Sequence, residues 1–349
     1  MPFRFGLLGA GAVAHTHAQA IRLLTDVEVS AVADVDRDRA EALARQYGIP
    51  HAFGSAEELL SHADVDAVDI VAPHHLHLPL TLAAARRGRH VLVEKAIAQD
   101  TTSASAMIEA CRTAGVVLGG IFQNRFSPAG RALHTTVQSG ALGRVFLASV
   151  SVKVHRTAAY YEGAPWRGRR EEAGGGVLMI QAIHTVDLLQ WVLGMPRRVL
   201  GRATTAIQAI GVEDVAVGVL EFEGGVLAVL QATTAAVPEV PPELELHGTR
   251  GTALVFDSRG YLGFWANTPT QPRSLPERWA GYAAQYHEQE PTRPSQASPE
   301  PHAENIRDFV TAVREGRAPL VDGPEARKAI VVINALYQSE QEGRWVEVQ

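Results

Sequence analysis

The sequence predicts an α/β chain in two parts: a doubly wound parallel sheet, then a second α/β region with a mostly antiparallel sheet. Three observations carry this. Between residues 3 and 122, short β-rich runs alternate with alanine-rich helical stretches, which implies parallel strands joined by right-handed crossovers. Several of those runs are apolar at nearly every position, as strands covered on both faces are. After residue 123 the strands follow one another closely, with glycine turns between some of them. At 349 residues the chain is long for one core, so a division into residues 1–122 and 123–349 is expected.

In chain order, the parallel strands are "FRFGLLG" (3–9), "VEVSAVAD" (27–34), "VDAVDIVAP" (65–73), "HVLVE" (90–94) and "GVVLGGIF" (115–122). Helices are expected between them over 12–24, 37–47, 78–87 and 102–113. The later strands are "VFLASVSVKV" (145–154), "VAVGVLEF" (215–222), "GVLAVLQATT" (225–234), "LELHG" (244–248) and "TALVFD" (252–257). "EGG" (223–225) and "GTRG" (248–251) read as hairpin turns. Helices fit over 177–193, 302–315 and 324–342. Residues 266–301, rich in Pro, Gln, Ser and Glu, read as a long surface loop.

Apolar residues at 46% and charged residues at 20% fit an ordinary globular protein rather than a disordered one. The net charge of −6, with no Lys/Arg block, argues against a nucleic-acid or membrane-surface partner. The lone cysteine, Cys111, excludes an internal disulfide and fits a reducing, cytoplasmic setting. No stretch of about 18 apolar residues suggests a membrane span, and Phe3–Leu8 is too short for a signal sequence. There is no internal repeat.

The stretch "LLGAGAVA" follows a strand and opens a helix. It supplies G-x-G-x-x-A at Gly9, Gly11 and Ala14, with Ala12 and Val13 in the turn into the helix. Asp34 lies 20 residues beyond Ala14, at the end of the second strand. Together these form a Rossmann dinucleotide fingerprint. Gly9 permits the tight turn, Gly11 lets the backbone approach a pyrophosphate, and Ala14 keeps helix and strand close. Asp34 would accept the adenosine ribose hydroxyls and repel a 2′-phosphate, which favours NAD. Arg37 and Arg39 could each pair with that phosphate, so NADP is not excluded.

With the fingerprint in place, the chain resembles the glucose–fructose oxidoreductase/inositol dehydrogenase (Gfo/Idh/MocA) family over nearly its whole length. The resemblance rests on "GAGAVAHTH", "APHHLHLPLTLAAARRGRHVLVEKAIA", "GGGVLMIQAIHTVDLLQWVLG" and "IRDFVTAVREGRAPLVDGPEARKAI". It implies a Rossmann domain followed by an α/β domain with an open, mostly antiparallel sheet. It also implies oxidation of a secondary hydroxyl of a sugar, cyclitol or related polyol by NAD(P). The lysine of an E-K-P motif is then expected between nicotinamide and substrate, and that position is Lys95. The family proline is Ala96 here, which is expected to loosen the turn.

A lysine directly after a buried strand needs a partner or a chemical role. "HVLVEK" ends a parallel strand, and ligands in such folds bind outside the carboxyl ends of the strands. There an ammonium stabilises a developing alkoxide, and a desolvated lysine acts as a base. Pairing with Glu94 alone is geometrically poor, because adjacent strand residues face opposite ways. Glu94 is instead expected near the cofactor.

His184 matches the family's active-site histidine. One helical turn earlier the family commonly has an acid, and this chain has Ile180. His184 then acts with Lys95 alone, or Gln181 fixes the substrate, or the site binds without turnover. Asp187, three residues after His184, could polarise it from the other side but reads rather as a structural helix contact, and Trp191 reads as core. The resemblance places Pro73, His74 and His77 of "PHHLH" beside the nicotinamide half of the cofactor. A metal reading of that run lacks a local carboxylate or thiol, so no metal is expected. In "FQNRF" (122–126), Gln123 is expected at the cofactor and Arg125 at the substrate. "KVHRTAAYYEGAPWRG" (153–168) resembles a substrate-side segment, with Lys153, Tyr161, Trp166 and Arg167 as contacts beside Arg156 and Tyr160.

These readings converge on an NAD(P)-dependent dehydrogenase, with Lys95 and His184 carrying proton transfer. Its partner is a small sugar or polyol, and a homodimer or homotetramer is expected. The competing readings are a non-catalytic sensor or regulator that binds dinucleotide and sugar, and NAD-assisted glycoside cleavage.

Overall fold

In the computed structural model, which describes residues 1–258, 261–267 and 298–348, the first sheet has six strands. They are β1 (Phe3–Leu8), β2 (Val27–Ala33), β3 (His51–Phe53), β4 (Ala67–Ile70), β5 (His90–Val93) and β6 (Leu118–Gly120). All are parallel, in the order β3-β2-β1-β4-β5-β6. The order reverses between β1 and β4, which makes that edge the switch point of a Rossmann sheet. The crossovers are α1 (Ala12–Arg22), α2 (Arg37–Tyr47), α3 (Ala56–His62), α4 (His74–Arg86) and α5 (Thr101–Ala114). β3 and α3 are not among the elements the sequence predicts: a three-residue, partly exposed edge strand gives no apolar run to detect.

Helix starts are marked in the sequence. Asp36, Ser55 and Asp100 cap α2, α3 and α5 by accepting the N–H of Arg39, Glu58 and Ser103. α1 and α4 start instead on Gly11 and Pro73, with no side-chain cap.

The chain divides into two compact units. One holds Met1–Phe126, Arg170–Gly174 and Ser298–Ile330, and the other holds the remainder. This corrects the expected division. The helix Pro299–Glu315 belongs to the first unit, where Ala303, Ile306, Phe309 and Val310 join a core with Phe5, Leu7, Ile21 and Leu92. A parallel sheet must be covered on both faces, and this helix supplies cover that the crossovers leave open. Gly119 is small for the same reason: a Cβ there would lie 2.6 Å from the Phe309 ring.

The second sheet, eight-stranded among the described residues, runs β13-β12-β11-β7-β10-β9-β8-β14. Its strands are β7 (Val145–His155), β8 (Arg198–Thr204), β9 (Val215–Glu221), β10 (Leu227–Thr233), β11 (Ala235–Gly248), β12 (Gly251–Ser258), β13 (Tyr261–Asn267) and β14 (Val346–Glu347). β10 pairs with β7 in parallel and every other pairing is antiparallel. Both expected hairpins form, β9–β10 and β11–β12. β11 starts nine residues before the strand expected at 244, despite Pro238, Pro241 and Pro242. Its pairing with β7 shifts register at Ala235/Val240 and Val240/Glu243, so the prolines interrupt the ladder at irregular positions.

One face of this sheet is packed. The helix Ile183–Leu193 lies against β7 and β11, and Leu336, in the helix Gly323–Glu342, fills the space above Gly201 and Gly218. On the other face Leu147, Val217, Val219, Leu227 and Val229 remain 38–51% exposed. The helical stretch Arg170–Leu193 is apolar enough to pass for a membrane span, contrary to the expectation that no such stretch exists. Its most apolar window is 78% buried inside the fold, as a core helix is. Most of the expected 266–301 loop lies outside the described residues.

Candidate active site

The glycine turn after β1 is built as the fingerprint requires. Gly9 has φ +117°, and a Cβ there would lie 2.3 Å from the Val71 carbonyl oxygen. Gly11 has open space where its Cβ would be, and Ala12 and Val13 are exposed beside it. Ala14 is fully buried against the sheet. With no side-chain cap, the first N–H groups of α1 are left to an anion or to water. Asp34 is held in place: its two oxygens accept the N–H of Ala10 (2.8 Å) and of Asp36 (2.9 Å). Arg37 and Arg39 are exposed and pair along α2 with Glu41 and Asp36. The open glycine turn, the uncapped helix start and the fixed carboxylate fit a dinucleotide.

The turn after β5 differs from its expected form. Its Lys95–Ala96 peptide is cis. Ala96, Ile97 and Ala98 are at most 1% exposed, so the absence of proline does not leave the turn loose. Two histidines fasten it. The imidazole of His77 lies 2.9 Å from the Ala96 carbonyl through Nδ1 and 2.8 Å from the Ala72 carbonyl through Nε2. His74 Nδ1 donates to the Ala173 carbonyl (2.8 Å), and its Nε2 accepts the Ala96 N–H (3.3 Å). Burial, then the neighbouring His77, hold His74 down to about 3, so it is neutral and can accept. Both rings, expected at the nicotinamide, are therefore engaged with backbone and clamp the turn onto the start of α4.

Glu94 is corrected as well. It is 8% exposed and its carboxylate turns inward. Oε1 accepts from His17 Nε2 (2.8 Å) and Oε2 accepts the Lys95 backbone N–H (3.1 Å). On the far side His17 Nδ1 donates to Asp69 Oδ2 (2.6 Å), and His302 Nε2 lies 3.9 Å from Glu94 Oε1. Burial opposes charge on His17, but Asp69 and Glu94 together outweigh it and hold the imidazolium to about 10. Burial likewise opposes the Glu94 charge, yet His17 keeps that carboxyl far below the usual range. Burial and the His17 charge press His302 down to about 4. Donor atoms of His17, Glu94 and His302 lie within 4.8 Å of one another, but a proton on His17 already balances this group.

Gln123 opens a short 3-10 turn after β6. Its Oε1 is buried without a hydrogen-bond partner among the described residues, so it can still accept. Arg125, expected at a substrate, is fully buried and pairs with Glu325 at 3.2 Å. It holds the first unit together and is not presented to a ligand.

In the second unit the helix carrying His184 begins with a π-helical turn, Leu178–Ala182, and becomes α-helical at Ile183. Such turns recur at functional sites. Glu213 fixes its start by accepting the N–H of Gly176 (2.8 Å) and Leu178 (3.0 Å) and the hydroxyl of Tyr337 (2.7 Å). A Cβ on Gly176 would lie 1.9 Å from the Glu213 carbonyl oxygen, which explains that glycine. Ile180 is buried. Asp187 accepts from Gln190, a contact within the helix. Trp191 stacks on His134 at 4.1 Å and stays half-buried rather than in the core.

Gln181 donates to the Tyr160 hydroxyl (3.1 Å). Two guanidinium groups approach the Tyr160 ring, Arg167 at 4.2 Å and Arg156 at 5.4 Å, and Arg167 also reaches Trp166 at 5.8 Å. Tyr161 is the structural tyrosine: it is buried and bonded to Thr234 Oγ1 (3.1 Å). Lys153 shares a face of β7 with the partly exposed Ser149 and Ser151, opposite the buried Val152 and Val154. It therefore points away from the face on which the His184 helix packs, against the expectation that it contacts substrate.

Within the first unit, the glycine turn, Asp34, Pro73, Lys95 and Gln123 all follow the carboxyl ends of strands of one sheet. Sequence reasoning missed His17, Asp69, Glu213 and His302. Asp69 was visible as a charge inside an apolar strand, and His17 stands inside the stretch "GAGAVAHTH". Nothing local marked Glu213 or His302.

Residues 3–122 match an oxidoreductase family with an NAD-binding Rossmann fold, and residues 131–254 match the GFO/IDH/MocA C-terminal domain. A 1,5-anhydro-D-fructose reductase of Ensifer adhaerens is 36% identical over 254 residues, 72% of this chain and 75% of that one. A D-xylose 1-dehydrogenase (NADP(+)) of Haloferax volcanii is 30% identical over 99% of both chains. Among solved structures, the WlbA dehydrogenase of Bordetella pertussis in complex with NADH and UDP-GlcNAcA superposes with a TM-score of 0.84. It is 26% identical over 100% of this chain and 99% of that one.

Proposed function

The chain belongs to the GFO/IDH/MocA oxidoreductase family, and from that premise we propose a dehydrogenase, with NAD preferred, acting on a secondary hydroxyl of a sugar, cyclitol or related polyol. The observation that carries the reading is the placement of Lys95. It follows β5 at the same carboxyl edge of the first sheet as the open glycine turn after β1 and the fixed Asp34 after β2. Gly9, Gly11, Ala12, Val13, Ala14 and Asp34 would hold the dinucleotide, with Gln123 as an acceptor for its amide. When bound, the nicotinamide supplies the hydride acceptor or donor. The chain's own part is the hydroxyl proton, which Lys95 and His184 take or return while the Lys95 ammonium stabilises negative charge on oxygen. Gln181, Tyr160, Arg167 and Trp166 offer donors and ring faces suited to a sugar.

Assay of the full-length protein with NAD⁺ against a panel of sugars and cyclitols tests the reading. Reduction of NAD⁺ by at least one of them is expected. Ligand-dependent changes in NAD⁺ affinity with no reduction at any pH support the sensor reading instead, which the buried Ile180 favours.

The partly exposed apolar face of the second sheet also supports a homodimer or homotetramer. Light scattering that returns the monomer mass of 37.5 kDa at micromolar concentration rules that out.

A further inference from the structure

Proton transfer through Lys95 and His184 makes no use of the carboxylates and imidazoles buried behind Lys95. Asp69 sits inside β4, flanked in register by Leu7 and Leu92, with no exposed surface. A charge there is costly, and exchanging buried ion pairs for apolar residues is often neutral or stabilising. The core alone gives no reason to keep it.

His17, also fully buried, reaches from α1 to two carboxylates. Its Nδ1 is 2.6 Å from Asp69 Oδ2 and its Nε2 is 2.8 Å from Glu94 Oε1. A neutral imidazole has one N–H and would leave a lone pair facing one of these oxygens, so only the imidazolium satisfies both. The second Glu94 oxygen accepts the backbone N–H of Lys95 (3.1 Å). His302 packs edge-on to His17, ring centroids 5.5 Å apart, and stays neutral. The groups facing His17 are thus Asp69 from β4, Glu94 from the end of β5 and His302 from the helix Pro299–Glu315. Two carboxylates and one imidazolium leave one negative charge on a group bonded to the Lys95 main chain, and Lys95 is close enough to couple electrostatically to Glu94, His74 and His302.

We propose that the Asp69–His17–Glu94 chain is a positioning device for Lys95: it fixes the lysine's main chain and supplies the buried negative charge against which its ammonium is held. The proposal rests on Lys95 being the proton-transfer lysine. None of the three residues is catalytic, since each acts through Lys95.

The sequence makes a direct test available, because its lysines are only Lys95, Lys153 and Lys328. Full-length protein labelled with ¹³C,¹⁵N-lysine is titrated by NMR without substrate, with resonances assigned through K153R and K328R. E94Q preserves shape and removes the negative charge. H17Q removes the positive one. The Lys95 midpoint is expected to fall by about one pH unit or more in E94Q and not to fall in H17Q. A fall in both variants, or in neither, overturns the proposal. A purely structural role predicts lower melting temperatures with no movement of the lysine. If H17Q does not fold, E94Q alone decides, and an unmoved midpoint overturns the idea. A stoichiometric divalent ion found by elemental analysis also overturns it, because an ion would replace the His17 proton. K95A turnover is a separate test. An inactive K95A with an unmoved midpoint in E94Q defeats only this inference. An active K95A defeats the catalytic reading and leaves the charge coupling standing.

Discussion

Around Lys95 the first unit buries Glu94, His17, Asp69 and His302, while around His184 the second unit buries Leu178, Met179, Ile180 and Ile183. One of the two residues proposed for proton transfer stands on a charged foundation; the other follows an aliphatic helix start, with Asp187 and Gln190 buried further along the same helix. On the second side Asp187 accepts from Gln190, and Glu213 spends its carboxylate on the backbone N–H groups of Gly176 and Leu178 and on Tyr337. Position 180 thus contributes no carboxylate, whereas two stand behind Lys95. The contrast teaches that two candidate residues of one chain can rest on different surroundings, a charged network behind Lys95 and a largely aliphatic helix start before His184.

The comparison breaks if the two residues prove equivalent. K95A should lower turnover by roughly 10² to 10⁴ and leave NAD⁺ affinity by calorimetry nearly unchanged. H184A should cost less if the lysine is the main base. Equal losses that do not add in the double variant show one relay instead.

Stability against pH sharpens it next. The raised His17 value means that its contribution is complete below about 6.5 and is lost as pH rises toward about 10. His302 and His74 are held down to about 4 and about 3, so the unfolded chain takes up more protons below 6.5. Stability then falls as pH drops toward those values. Melting temperature is expected to peak near pH 6.5 and decline on both sides. In H17Q the alkaline decline should vanish while the acid one remains.

Cofactor preference is a smaller effect. Asp34 is fixed by two backbone N–H groups while Arg37 and Arg39 are engaged with Glu41 and Asp36. NAD⁺ should therefore bind about tenfold or more tightly than NADP⁺, corresponding to roughly 1.4 kcal/mol, and D34A should narrow the gap. Equal or stronger NADP⁺ binding in calorimetry would mean that the arginines dominate.

The smallest shift is expected from I180D, which restores a carboxylate near His184. It favours the imidazolium and should move the histidine limb of the pH–rate profile toward alkaline pH. No movement would mean that the π-helical turn keeps residue 180 away from the ring.

Much of this was legible in the sequence because the signals are local. The glycine turn, Asp34, the strand ending at Lys95 and the hairpin glycines each follow from backbone geometry or strand period within a few residues. Side-chain destinations were less so. Arg125, Tyr161 and Lys153 have the chemistry of ligand contacts, and the fold assigns one to a buried ion pair with Glu325, one to Thr234 and one to the opposite face of β7. Tyr160 and Tyr161 are adjacent and identical in type, so only packing separates the tyrosine that meets Gln181 from the one in the core.

The sequence by itself determined the parallel sheet and the dinucleotide turn, because each depends on short-range rules of φ, period and spacing; it placed Lys95 at a strand end, and only the family resemblance singled that lysine out. The tertiary structure alone decided that Pro299–Glu315 closes the first unit and that Glu213 fixes the start of the His184 helix. It alone brought His17, Asp69, Glu94 and His302 together behind Lys95. Those contacts join residues tens to hundreds of positions apart, and a buried charge reveals its partner only when the chain has folded around both.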